Sequence, residues 1–403
     1  MNRYKPRRMQ SLLLLLLLLG GAPAGAQVFV QCKGDADGDA VPDAPNPNVV
    51  CKHLTAGDGF ISMADDQAKH QYMFGFNDVT GLPESAVLSE GMLAANFPAP
   101  TIDVKQGQEF YLTVTNVGMA IRPDLFDPHT VHFHGFPQAA PVFDGMPEGS
   151  IAINQFASIS YYYNLVEPGT YMYHCHVEAT EHMQMGMLGN LYVRPAQDDT
   201  PLGSCSGGPC TQFAYNDGDG STGYDVDFPI QIGSFDPDFH DASETIQPLP
   251  FALMKDRYAM LNGRGYPDTV NPGDLPSPEN GDLNGGKISQ RVGTLITANA
   301  GQKVLLRISN LNVTRMYTLA SLGIPMKVVG HNARLMRGND GKDLYYTTSS
   351  VTLGGGESVD VILDTTGVPP GTYFLYTTNL NYLSNDNEDY GGMMTEIVIG
   401  SGA

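Results

Sequence analysis

The sequence predicts an all-β protein in which one Greek-key sandwich or barrel plan occurs twice. Three observations carry this expectation. Short β-branched or aromatic runs alternate with turn residues, among them Thr101-Ile-Asp-Val, Phe110-Tyr-Leu-Thr-Val-Thr, Ser158-Ile-Ser-Tyr-Tyr-Tyr and Gly189-Asn-Leu-Tyr-Val. The 46 Gly and 28 Pro among 403 residues disfavour long helices, while 42% hydrophobic content excludes wholesale disorder. The second half also repeats the first. Lys303-Val-Leu-Leu-Arg-Ile-Ser echoes Glu109-Phe-Tyr-Leu-Thr-Val-Thr, each after a Gly-Gln step. Gly371-Thr-Tyr-Phe-Leu-Tyr-Thr echoes Gly169-Thr-Tyr-Met-Tyr-His-Cys, and Gly391-Gly-Met-Met-Thr-Glu-Ile-Val echoes Gly186-Met-Leu-Gly-Asn-Leu-Tyr-Val.

Taken in order, the chain opens with a basic stretch (Arg3, Lys5, Arg7, Arg8), an apolar run Leu12–Leu19 and a small-residue Ala24-Gly25-Ala26 site. That pattern reads as a signal peptide over residues 1–26, too short for a membrane span, and implies a periplasmic or secreted protein. The Arg7-Arg8 pair hints at the twin-arginine route. No later stretch is long enough to span a membrane.

Residues 27–65 form an acidic segment closed by a Cys32/Cys51 disulfide. A copper-binding domain is expected over 66–196, an Asp/Gly/Ser/Pro-rich linker with a Cys205/Cys210 loop over 197–225, and a ligand-free second copy over 226–403. Asp35, Asp37, Asp39 and Asp43 alternate with Gly in the manner of a calcium loop, with a solvated acidic linker as the other reading. The charge balance, 43 acidic against 22 basic residues, argues against nucleic acid or an anionic membrane as partner and favours cationic partners through steering.

The two disulfides leave Cys175 over, and it lies between His174 and His176. Six of the ten histidines fall between positions 129 and 182. Side chains on a strand alternate faces with period two, so His132 and His134 share one face, as do His174 and His176. Cys175 points the opposite way, and His129, an odd number of positions from His132, joins it. One sheet therefore presents two sites. His129, Cys175, His182 and Met187 supply two imidazoles, a thiolate and a weak thioether, the donor set of a blue-copper electron-transfer centre. His132, His134, His174 and His176 supply only imidazoles, which suit Cu(II) or zinc and leave positions open for a small molecule. The peptide bonds flanking Cys175 join the two sites covalently.

These motifs resemble those of the multicopper oxidases, the laccase-like branch of the cupredoxin superfamily. The resemblance rests on His129-Thr-Val-His132-Phe-His134-Gly, Phe143-Asp144-Gly145, Glu167-Pro-Gly-Thr-Tyr-Met-Tyr, His174-Cys175-His176, His182 and Met187. It is strong over about residues 90–196 and general over about 250–400. It implies two cupredoxin-like domains and copper as cofactor. By resemblance His129, Cys175, His182 and Met187 are type 1 ligands, with Met185 and Met183 as alternative axial ligands. His132, His134, His174 and His176 are then half of a trinuclear oxygen-reducing site. The implied activity is one-electron oxidation of a phenol, metal ion or small redox protein coupled to reduction of O2.

Two departures qualify the resemblance. The interval Val177–Glu181 between His176 and His182 is longer than in laccases and is similar to copper nitrite reductases, which are trimeric, so a homotrimer is an expectation. The second copy has no His pair: Tyr376-Thr-Thr-Asn-Leu-Asn stands where one should recur, and its histidines are His240 and His331 only. His331 reads either as a loop histidine or as one approaching a neighbouring subunit's copper. A nitrite-reductase-like enzyme and a non-catalytic copper-binding or electron-transfer protein are the alternative readings. His53, His70 and His240 have no assigned role, and Tyr161–Tyr163 read as strand residues.

Overall fold

The computed structural model describes residues 28–64, 69–245, 248–276, 283–386 and 388–401. The expected signal peptide lies outside them. Among the described residues no helix is long and apolar enough to cross a membrane.

The first sandwich pairs two four-stranded sheets. One has the order β2-β1-β4-β6, with β1 Val49–Ser62, β2 His70–Asp78, β4 Glu109–Gly118 and β6 Ser158–Asn164. The other has the order β3-β8-β7-β5, with β3 Ala99–Lys105, β5 His132–His134, β7 Gly169–His174 and β8 Leu188–Arg194. Alternation fills the space between them: Phe110, Leu112 and Val114 of β4 meet Tyr171 and Tyr173 of β7 and Leu191 and Val193 of β8 in one core. The Cys32–Cys51 disulfide ties the N-terminal segment to β1.

The second sandwich repeats these pairings. Strand Val226–Phe235 runs parallel to Lys303–Asn310 as β1 does to β4, and Ile296–Asn299 runs parallel to Met394–Gly400 as β3 does to β8. Strand Tyr317–Leu322 pairs with Gly371–Thr377 as β5 pairs with β7. The sequence echo at Gly169 and Gly371 sets the correspondence: Tyr376 stands where His174 does and Thr377 where Cys175 does. Since Tyr376 is opposite Ala320, as His174 is opposite His132, alanine and leucine (Ala320, Leu322) replace His132 and His134.

Residues 197–225, read from composition as a linker, carry ordered structure. They contain a hairpin Leu202–Cys205/Gly208–Cys210, closed by the Cys205–Cys210 disulfide, and a second pairing of Gln212–Phe213 with Gly223–Tyr224. The Asp217 carboxylate organises the intervening turn, accepting hydrogen bonds from Gly220 N, Thr222 N and the Thr222 hydroxyl. That carboxylate fixes turn residues which composition alone reads as flexible.

The even-numbered face of β7 packs on the second sandwich. Thr170 Oγ1 donates to Asp360 Oδ1 at 2.6 Å and accepts from Arg307 Nη1 at 3.1 Å. Arg307 is fully buried, reaches Asp227 Oδ2 at 3.1 Å, and lies over the Tyr192 ring at 5.1 Å. Arg194 brings a second guanidinium to Asp227 at 2.5 Å. A buried cation is tolerated only while its anions surround it.

Two predictions follow from burial. Arg307→Ala should destabilise the fold by about 3–5 kcal/mol, because it leaves the buried Asp360 carboxylate without its cation, while Asp227 keeps Arg194; a denaturation midpoint close to wild type would contradict that role. His53, with no exposed surface, is lowered by burial to about 4, with Asp78 opposing weakly. The folded chain keeps this ring neutral while the unfolded chain protonates it near pH 6.5. Its stabilisation is therefore complete above about pH 6.5 and lost as pH falls toward 4. In urea titrations of metal-free protein, His53→Gln should flatten the fall in stability between pH 7 and pH 5 by about 2 kcal/mol.

Candidate metal centre

β7 ends at His174, and the backbone continues extended enough for Cys175 N to donate to Met187 O at 3.1 Å. Cys175 is the one free cysteine among the described residues and is fully buried in the first core. Two imidazoles meet its sulfur: His182 Nδ1 at 3.2 Å and His129 Nδ1 at 3.7 Å. Those separations match donors sharing one ion, since bonds of about 2.0–2.3 Å would then subtend roughly 95° and 120°. Both rings are fully buried.

Local structure explains how each donor arrives. His129 is held by a bridge to Ile153, and the Asn116 amide donates to both Asp127 O and Ile153 O at 2.9 Å. The long interval after His176 becomes the short helix Ala179–Gln184, entered through Glu178 in the left-handed region (φ 45°). Glu178 O accepts from His182 N at 3.0 Å, and that turn carries His182 back over Cys175. Phe74 sits edge-on to the His182 ring at 5.7 Å. The extra residues thus fold into a helical turn.

Met187 is fully buried, and its N–H donates to His182 O at 2.8 Å, so its backbone is tied to both neighbouring donors. Met185 is buried in the same core as Cys175, whereas Met183 lines the imidazole pocket on the other face.

Electrostatics at the sulfur favour a cation. Burial, then the neighbouring His182, lower His129 well below the ordinary histidine range. Burial also acts downward on His182, yet the Cys175 sulfur and the Asp127 carboxylate outweigh it and carry the ring up to about 10. Asp127 Oδ2 lies 3.9 Å from His182 Nε2, beyond hydrogen bonding, so its pull is ionic. Sulfur on one side and carboxylate on the other favour positive charge between them, a place that a metal ion takes by displacing the proton from the His182 ring. Two imidazole nitrogens and a soft sulfur fit a copper ion there.

The other face gathers the remaining imidazoles. Register places His132 directly opposite His174 and puts His134 on the same face. Ring centroids are 5.3 Å apart for His132–His174, 5.6 Å for His134–His174 and 5.2 Å for His132–His176. One nitrogen from each of His132, His134 and His174 lies within 4.8 Å of the others. His132 Nδ1 donates to Asp144 O at 2.6 Å and His174 Nδ1 to Cys175 O at 2.8 Å, which leaves both Nε2 lone pairs facing the cluster. Gly145 (φ 75°) makes the first bond reachable, because a Cβ there would lie 2.7 Å from His132 N. Burial, followed by the neighbouring imidazoles, lowers His134; burial lowers His174 to about 3. Neutral rings with free lone pairs are what metal binding requires. The four rings line a cavity of about 260 Å³ whose far wall is Leu311, Asn312, Gly355 and Gly356.

Two multicopper oxidase family models match the chain, over residues 85–198 and 253–399. The chain belongs to the multicopper oxidase family. Laccase-5 of Arabidopsis thaliana is 24% identical over 350 residues, covering 84% of this chain and 49% of that protein. This multicopper oxidase thus spans about half the length of that curated relative. Among solved structures, a blue copper oxidase from Nitrosomonas europaea superimposes with a TM-score of 0.61 at 20% identity, covering 86% of this chain and 85% of that one. A copper nitrite reductase from the same organism gives 0.56 at 16% identity, covering 87% of this chain and 94% of that one. The fold is thereby two cupredoxin-like β-sandwiches.

His331 stands apart from both clusters. Its strand Met326–His331 turns at Asn332–Ala333, which packs on the Gly169 end of β7, five residues from His174. Asp35, Asp37 and Asp39 do lie close together, but Asp35 accepts from Gly38 N and Ala40 N, and Asp43 accepts from Ala36 N. Those carboxylates serve the loop's own backbone, and nothing further supports calcium.

Sequence reasoning missed the groups that steady these rings. Asp144 does so through its carbonyl oxygen, which carries no sequence signal. Asp256 of the second sandwich accepts from Gln184 Nε2 at 3.3 Å, and His240 Nε2 meets Gln184 O at 3.0 Å, so the second half braces the helix bearing His182. Gln184→Ala should therefore disturb any copper bound between His129, Cys175 and His182 while sparing the fold. A visible and EPR spectrum identical to wild type would show the brace to be idle.

Proposed function

We propose that this multicopper oxidase is an exported copper-dependent oxidoreductase. It takes single electrons from a reductant at a type 1 site of His129, Cys175, His182 and Met187, and O2 is reduced at the imidazole face of His132, His134, His174 and His176. The observation that carries the reading is the meeting of His129 Nδ1 and His182 Nδ1 on Cys175 Sγ, with the imidazole cluster one peptide bond away. Copper bound between these donors supplies a one-electron couple, stabilised in its reduced form by soft sulfur.

The chain's own residues do the rest. Cys175, His129 and His182 have no exposed surface, so water is kept from the sulfur. Asp127, one-fifth exposed, connects the buried His182 edge toward solvent, where an outside reductant comes nearest. From Cys175 the backbone leads directly into His174 and His176, giving an electron a covalent route between faces. His132 keeps its Nδ1 proton on Asp144 O, and His174 keeps its own on Cys175 O, which fixes both tautomers. The cavity beside them admits a small molecule such as O2. Export agrees with the two disulfides, which persist in oxidising compartments.

Copper-loaded protein should oxidise a one-electron donor with stoichiometric uptake of O2, monitored by an oxygen electrode. Cys175→Ser should abolish both the thiolate charge-transfer band and this turnover. Turnover that survives in the serine variant would overturn the proposed route. The compact grouping of His132, His134 and His174 also suits a nitrite-reductase-like reaction; consumption of nitrite by the reduced protein, with no O2 uptake, would favour that second reading.

A further inference from the structure

The imidazole face of the family's fold is associated with three coppers, and donor arithmetic in this chain does not supply them. Catalytic sites usually give each ion about three protein ligands, so three ions at even two each need about six. Four imidazoles are present. Across the cavity, leucine and glycine offer no side-chain donor. The Asn312 amide is committed elsewhere: Oδ1 accepts from Ser234 Oγ at 2.8 Å, and Nδ2 donates to Asn310 Oδ1 at 2.7 Å. His240 is buried between Tyr72 O and Gln184 O, and His331 lies beyond the far end of β7. Even counting the Met183 thioether, the donors fall short of three ions.

What the second sandwich contributes instead is a glycine turn. Gly356 N donates to Asn310 O at 2.8 Å, and Gly354 N donates to Glu357 Oε2 at 2.6 Å, fixing the turn. Gly356 has φ 89°, and a Cβ there would stand 2.6 Å from His134 Nε2. The absence of a side chain at Gly356 therefore leaves the space that the Nε2 edge of His134 occupies. His134 Nδ1 then lies 3.4 Å from His174 Nε2, which corresponds to roughly 110° at an ion about 2.0–2.1 Å from each.

Resting on the copper reading above, we propose that the imidazole face holds a single copper. Its ligands are His132, His134 and His174, His176 stands at its rim, and Gly356 acts as the positioning residue that lets His134 face the ion. The site is complete within one chain.

Copper per chain, measured by mass spectrometry on the copper-loaded full chain together with spin-counted EPR, tests this. The expected result is two coppers per chain, both visible by EPR. His134→Ala should lower the count to one and leave the thiolate band intact. Gly356→Ala should weaken retention of the second copper by at least about tenfold against a chelator, as outer-shell changes do, without moving that band. Three or more coppers per chain, or a pair hidden from EPR by magnetic coupling, overturns the proposal, as does one copper per chain with the band present. A Gly356→Ala protein that retains both coppers like wild type overturns the role of the turn. One EPR-visible copper that His134→Ala removes, in a protein without the thiolate band, would sink the Cys175 reading while supporting the single-ion face.

Discussion

The period-two alternation of one strand governs the rest of the molecule. Along β7 and its continuation, Tyr171, Tyr173 and Cys175 enter the first core, whereas Thr170, Met172 and His174 face the second sandwich. A shift of one residue would exchange the two sets, placing a thiol at the interface and imidazoles among Phe133, Tyr163 and Leu191. The register with β5 carries the same constraint across, since His132 faces His174 while Phe133 faces Tyr173. Burial of the aromatic set therefore fixes the position of the sulfur and of the imidazoles together.

That arrangement gives the two faces different electrostatic surroundings. On the sulfur side a carboxylate and a thiol enclose His182, and positive charge is favoured despite complete burial. On the other side burial and mutual repulsion keep His134 and His174 neutral. Both conditions suit a cation, by different means. The first attracts charge, and the second presents uncharged lone pairs already fixed by hydrogen bonds to carbonyl oxygens.

The second sandwich keeps the strand plan and loses the donors. Ala320, Leu322, Tyr376 and Thr377 stand where the first has His132, His134, His174 and Cys175. Its contribution to the chemistry is mechanical. Asp256 and His240 brace the helix that carries His182, Arg307 and Asp360 anchor β7 through Thr170, and the turn at Gly356 leaves room for the His134 ring where a side chain would collide with it. A sheet can diverge in its side chains and still hold another in place, because backbone pairing does not depend on which residue faces out.

The sequence by itself determined the strand pattern, the internal repeat and the division of donors between two faces, because each follows from local periodicity or covalent order. The disulfide partners were legible for the same reason: short separations and an odd cysteine between histidines. Tertiary structure decided what depends on atoms far apart in the chain. The carbonyl of Asp144 chose the tautomer of His132, and a carbonyl has no residue-type signature. The helical turn at 179–184 absorbed a spacing that looked like a departure. The segment at 197–225 became ordered through a disulfide-closed hairpin, a second strand pairing and the hydrogen bonds that Asp217 accepts within the turn of that pairing, which composition cannot reveal. The approach of Gly356 to His134, across 222 positions of chain, arose only when two sandwiches packed face to face.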